Sequence, residues 1–217
     1  MIRTGMRLSR RDSLLALRGA AVALAAMSPF RALHAQGADA PTAPIQGLNQ
    51  ALLASMRAGN APFPQRFAAL APVIEQAFNL DDILARSVGL SWAALPPDQK
   101  SALAAAFRRY TVSSYLANFN KYNGQSFQVL DTRPVGNGQV VVRTRLVLPN
   151  ESPVDLDYVV NPGPRGWQVV DVLLNGSISR VAVQRSDFRQ LLNSGGVPAL
   201  TASLERKVAS LSGGMLA

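Results

Sequence analysis

The chain has 217 residues, 48% of them hydrophobic, with a formal charge of +9, no Cys and a single His. That length and apolar share suit one domain with a sizeable core rather than a disordered chain. The charge looks like a nucleic-acid signal until it is located: six of the 22 basic residues lie in residues 1–35, and the other 16 stand against 12 acids, with no Lys/Arg run and no basic–aromatic interleaving, which speaks against nucleic-acid binding.

Residues 1–35 read as a cleavable export signal. Arg3, Arg7, Arg10 and Arg11 form a positive leader, GAAVALAAM (19–27) is apolar but too short to span a bilayer, and LHA before Gln36 suits cleavage near Ala35. SRRDSLL (9–15) resembles a twin-arginine motif with Ser13 where an apolar residue is usual, so Tat and Sec export both stay open. No later apolar run is long enough for a membrane span, and the expected product is soluble in a Gram-negative periplasm. Such a compartment permits disulfides, yet the chain has no Cys, so its core must be self-sufficient.

Residues 36–44, QGADAPTAP, read as a flexible linker. From 45 to 122 the pattern is helical: one segment stopping at Gly59, a second over 62–78 that Pro72 should kink or divide, a third capped by Asn79 and ending at Gly89. A long helix over about 97–121 starts at Pro97 and Asp98. Its Leu103, Phe107 and Tyr110 share one face, whereas Val112, Tyr115, Phe119 and Tyr122 fall roughly opposite. Core packing at two levels accounts for this, as does a second aromatic face turned into a cavity.

The period then switches to two. Segments 126–134, 138–149, 152–160 and 166–174 read as strands, and the short links between them favour a four-stranded antiparallel meander. Alternation puts Val140, Val142, Leu146 and Leu148 opposite Arg143 and Arg145, and Val154, Leu156, Tyr158 and Val160 opposite Asp155 and Asp157. The outward Arg and Asp side chains can pair across strands without any further role. Two helices follow, about 178–193 and 197–211, separated by SGG, with 213–217 as a tail. The expected class is α+β: one domain over 45–212, its N- and C-terminal helices packed on one face of a curved sheet, an arrangement that leaves room for an apolar cavity.

The only His, His34, lies in the segment expected to be removed. Without His or Cys, the mature chain lacks the usual parts of Ser-His-Asp, Cys-His, zinc and CxxC redox chemistry. No phosphate-binding loop or dinucleotide fingerprint follows a strand, and no cofactor or metal is expected. One enzymatic reading survives, in which Asp171 with Tyr158 or Tyr110 does acid–base work on an apolar substrate, as in ketosteroid-isomerase-like folds. The structural alternative ties Asp171 to Arg185 or Arg180, since a carboxylate on an apolar strand needs a partner.

WQVVDV (167–172), Gly176, Ser179, Arg185 and Phe188 resemble the W-x-V-x-D-V, Gly, Ser and R-x-x-F signature of the MlaC family, periplasmic lipid-binding proteins also called toluene-tolerance proteins. The likeness covers about 45–212. Two features depart from the pattern: an extra residue between Gly176 and Ser179, and Gln184 in place of an aromatic. DVLLNGSISRVAVQRSDFRQLL is closer to the hopanoid-associated HpnM branch. The resemblance implies an MlaC-like, NTF2-like fold and a monomeric, non-enzymatic carrier that passes a phospholipid or hopanoid between membrane partners, a transporter or an MCE-type complex. It implies a lipid cavity, for which the suitable residues are Tyr115, Phe119, Val142, Leu146, Leu156, Tyr158, Val160, Ile178, Val181 and Phe188. Asp171 and Arg185 would form a structural latch between the fourth strand and its helix.

Overall fold

The computed structural model describes residues 40–163 and 165–216. The expected export segment with His34, and residues 36–39 of the linker, lie outside the described residues. Five helices come first: α1 (Ala43–Arg57), α2 (Phe63–Ala77), α3 (Leu80–Val88), the short α4 (Ser91–Ala94) and α5 (Pro97–Asn118). Proline stands in the first turn of α1, α2 and α5, where its missing N–H costs nothing. Asn79 caps α3 by accepting a hydrogen bond from the Asp82 N–H at 3.2 Å. Because α1 already begins at Ala43, the end of the expected linker is helical.

Of the two expectations for Pro72, a kink or a division, the division does not occur; α2 runs through it to Ala77. The carbonyl orphaned by a proline belongs to the residue four earlier, Ala68, and both Pro72 and Ala68 are exposed, so water can satisfy it.

The strands are β1 (Ser126–Gly136), β2 (Gln139–Val147), β3 (Val154–Gly163), β4 (Gly166–Leu174) and β5 (Ile178–Ser179), an antiparallel sheet in sequence order. The expected meander of four strands thus gains a fifth. Asn175 and Gly176 both take positive φ, 51° and 70°, and the Ser177 N–H closes back on the Leu174 carbonyl. This turn sends Ile178 and Ser179 back alongside Leu174 and Leu173, so the last helix starts at Arg180 rather than at 178. That helix, α6 (Arg180–Leu211), is broken at Gly195 and at Gly196 (φ 65°), where the SGG separator was read.

The two faces of the sheet differ as alternation predicts. On the outer face Arg145 grips Asp155 with two bonds of 2.7 and 3.1 Å, and Arg143 reaches Asp131 at 3.0 Å and Asp157 at 3.6 Å. On the inner face Val142, Tyr158, Val160 and Val169 join Ile45, Leu48, Leu70, Ile74, Leu84, Phe107, Leu116, Leu200 and Leu204 in one core. Each such fully buried aliphatic side chain contributes about 1.5–3 kcal/mol. Phe78, just after α2, runs beside Val169, and the Asn79 N–H bonds the Val169 carbonyl at 2.9 Å. That bridge stitches the helical layer to β4. The C-terminal tail is also held: Arg109 of α5 donates to the Leu216 carbonyl.

Candidate functional site

Between α5 and the inner face of the sheet lies a cavity of about 390 Å³. The sheet side is built by Leu146 of β2, Val154, Leu156 and Tyr158 of β3, and Val172 and Leu174 of β4. Cross-strand pairing sets this wall, with Tyr158 opposite Val172 and Leu156 opposite Leu174. The facing wall is α5, whose Phe107, Tyr110, Thr111, Ser114, Tyr115 and Asn118 recur at three- and four-residue spacing. Phe119 continues it, and Phe78, Leu80 and Ile83 close one side. Four residues from the β4–α6 passage complete the lining: Asp171, Arg180, Val181 and Gln184. Asn118 and Arg180 are exposed, so the cavity reaches solvent there.

One wall is an aromatic chain. Phe78 lies 5.5 Å from Tyr115, Tyr115 stacks on Phe119 at 6.0 Å, and Phe119 meets Phe127 of β1 at 5.7 Å. Burial holds the Tyr158 phenol above its ordinary range. Burial, and secondly the neighbouring Tyr158, hold Tyr115 well above it too, while Arg180 pulls the other way. Both phenols are therefore neutral O–H groups at physiological pH.

Of the ten residues expected to line a cavity, Tyr115, Phe119, Leu146, Leu156, Tyr158 and Val181 lie on this one. Val142 and Val160 share their strands' inward alternation but are fully buried in the dry core, near the end of the sheet covered by Phe78. Phe188 is also in the core, edge-on to Phe107 at 6.2 Å. Ile178 is 49% exposed, because it belongs to β5 and not to the inner face of a helix.

The latch exists with a different partner. Asp171 accepts from its neighbour's N–H, Val172, at 2.7 Å, from the Val181 N–H at 3.1 Å, and from the Ser179 hydroxyl. Ser179 in turn caps α6 by accepting from the Ala182 N–H at 3.0 Å. So Asp171 holds the helix by its first turn. Among the described residues no ion pair joins Asp171 to Arg185, which corrects the expected pairing. Arg185 sits six residues beyond the cap, about 9 Å along the axis at 1.5 Å per residue. Its guanidinium lies instead over Gly89, past the C-terminal end of α3, where positive charge complements the helix dipole.

The lining contributed by Phe78, Leu80 and Ile83 was not read from the sequence, since only the bridge to Val169 brings that junction to the sheet. Val172 and Leu174 carried a usable signal in their i, i+2 spacing beside the Trp167 motif. Among the described residues no group of three His, Cys, Asp or Glu side chains could hold a metal ion.

Fold and cavity define a two-layer α+β domain, with an apolar space between helices and an antiparallel sheet. The MlaC protein family model matches residues 46–206, and the chain belongs to that family. Among solved structures, the phospholipid-binding protein from Ralstonia solanacearum, determined in complex with a phospholipid, is similar with a TM-score of 0.70 and 22% identity. The match covers 81% of this chain and 99% of that one, and it shows a common fold.

Proposed function

We propose that this protein is a lipid carrier of the periplasm. Exported by residues 1–35 and cleaved near Ala35, it takes one lipid from a membrane transport partner, a transporter or an MCE-type complex, and delivers it to another. The cargo is a phospholipid or, if the chain belongs to the HpnM branch, a hopanoid. The observation that carries this reading is the cavity of about 390 Å³ walled by aromatic and aliphatic side chains, in a chain of the MlaC family. At about 30 Å³ per water-sized unit, close to that of a methylene, it has room for about a dozen methylenes, and burying them at about 0.8 kcal/mol each is worth on the order of 10 kcal/mol. The phospholipid in the Ralstonia protein, which has the same fold, supports a lipid ligand.

The acid–base alternative has less to work with. The Asp171 oxygens that would abstract a proton already accept from Ser179, Val172 and Val181.

Native mass spectrometry of the purified chain, with organic extraction of what it carries, tests the carrier. One lipid per chain is the expected result. A protein that arrives empty and takes up no lipid from micelles sinks it.

A further inference from the structure

We infer that Arg180 reads a negatively charged group at the cavity mouth, so that the cargo is an anionic amphiphile with a phosphate or carboxylate beside its apolar part rather than a neutral lipid. This rests on the carrier reading and narrows it.

Arg180 is the first residue of α6, exposed, and it lines the cavity. Several arginines are already committed to carboxylates: Arg86, Arg108, Arg133, Arg143 and Arg145 all form ion pairs. Among the described residues none is formed by Arg180. The other charged residue of the lining, Asp171, has its oxygens taken up by Ser179 and two backbone N–H groups, and it lies at a helix N-terminus whose partial positive charge answers its own. Arg180 therefore keeps a planar fork of N–H donors free where the apolar chamber meets water. Its field is felt inside, since it acts on the buried Tyr115 hydroxyl.

A guanidinium suits the two oxygens of a phosphate or carboxylate, and charge-assisted bonds of this kind are about twice as strong as neutral ones. Beside low-dielectric walls the pairing is less screened than on an open surface. A neutral ring or glyceride can meet the hydroxyls and amides of Thr111, Ser114, Asn118 and Gln184, but it brings no charge for Arg180 to pair with.

The test uses the mature chain stripped of lipid and offered equimolar pairs in detergent micelles, with the loaded fraction read by native mass spectrometry. The probes are phosphatidylglycerol, palmitate, diacylglycerol and the uncharged hopanoid diploptene. The wild-type chain is expected to favour phosphatidylglycerol over diacylglycerol by about tenfold, as one charge-assisted contact implies. Palmitate against phosphatidylglycerol tells carboxylate from phosphate. In Arg180→Gln the anionic-to-neutral ratio falls towards one, and Arg180→Lys restores part of it. Arg189→Gln, which removes an exposed charge of the same helix away from the cavity, keeps the wild-type ratio. Equal loading of charged and neutral lipids by the wild type, or a ratio unchanged in Arg180→Gln, overturns the inference and leaves the carrier standing. Failure to load any of the four brings down both.

Discussion

Asp171 stands where the first turn of α6 leaves its N–H groups without helical partners, and it satisfies one of them directly and another through Ser179. Replacing it by Ala strands those donors, so Asp171→Ala should lower stability by about 1–3 kcal/mol and Ser179→Ala by about 1 kcal/mol. Because the two act in one relay, urea denaturation of the double variant should show less than the sum; strict additivity would mean they work separately. A second carboxylate pair behaves differently. Asp155 is held below its ordinary range by its hydrogen bond with Arg145, so its contribution is present above the unfolded value and lost as pH falls through the lowered one. Asp157, 6% exposed and with Oδ1 unpartnered, is pushed up by burial against the pull of Arg143. The folded chain then holds that proton longer than the unfolded one, so Asp157 costs stability as pH rises from about its unfolded value through its raised folded one. Asp157→Asn should therefore unfold at higher urea than wild type at pH 7, with the advantage shrinking by pH 4; a variant weaker at pH 7 would show that the Arg143 pair outweighs desolvation. The need for a partner at Asp171 was legible in the sequence. Its identity was not, because it depends on where the helix begins, and two residues of β5 moved that start.

At the level of elements, the order and type of the long ones were legible, helices first, a meander, helices last, with the break in α6 marked by SGG, whereas the short α4 and β5 were not. What periodicity could not carry was the inside of β4. Val169 pairs with Val160 and Val172 with Tyr158, both on the inner face although three residues apart, because a bulge between Val159 and Val160 leaves Val170 without an opposite number. Strict alternation breaks there. The same alternation treats Val142 and Leu146, or Val160 and Leu156, alike, and only the placement of Phe78 and the helices makes one of each pair core and the other cavity wall. Within α6 the two halves are unequally anchored. Up to Gly195 only Phe188 is buried, whereas Val197, Leu200, Leu204 and Val208 are buried beyond it. Amide exchange should accordingly be faster over 181–194 than over 199–211; equal protection would show that the glycine break does not separate them.

For the molecule as a whole, cavity and core predict opposite responses to added volume. Leu156→Trp points into open space and should cut lipid loading several-fold while leaving the melting temperature nearly unchanged. Val160→Phe enters a filled core and should cost about 1–3 kcal/mol. If both variants lose stability alike, the chamber is not available as unfilled space. The sheet that builds this chamber has two ends, and both are blunted. β1, paired on one side only, interrupts its free edge with bulges at Val129/Asp131 and Pro134/Gly136, a proline that offers no donor, and the charged Arg133. At the far end β5 lasts two residues before the chain turns helical. Neither border offers the long flat row of unpaired amides on which a second sheet could grow, even though Val129, Leu130 and Val135 are exposed beside it. Light scattering should find single chains up to millimolar concentration, and a concentration-dependent dimer would point to one of these borders. A protein so fenced against its own copies can be present in abundance without aggregating.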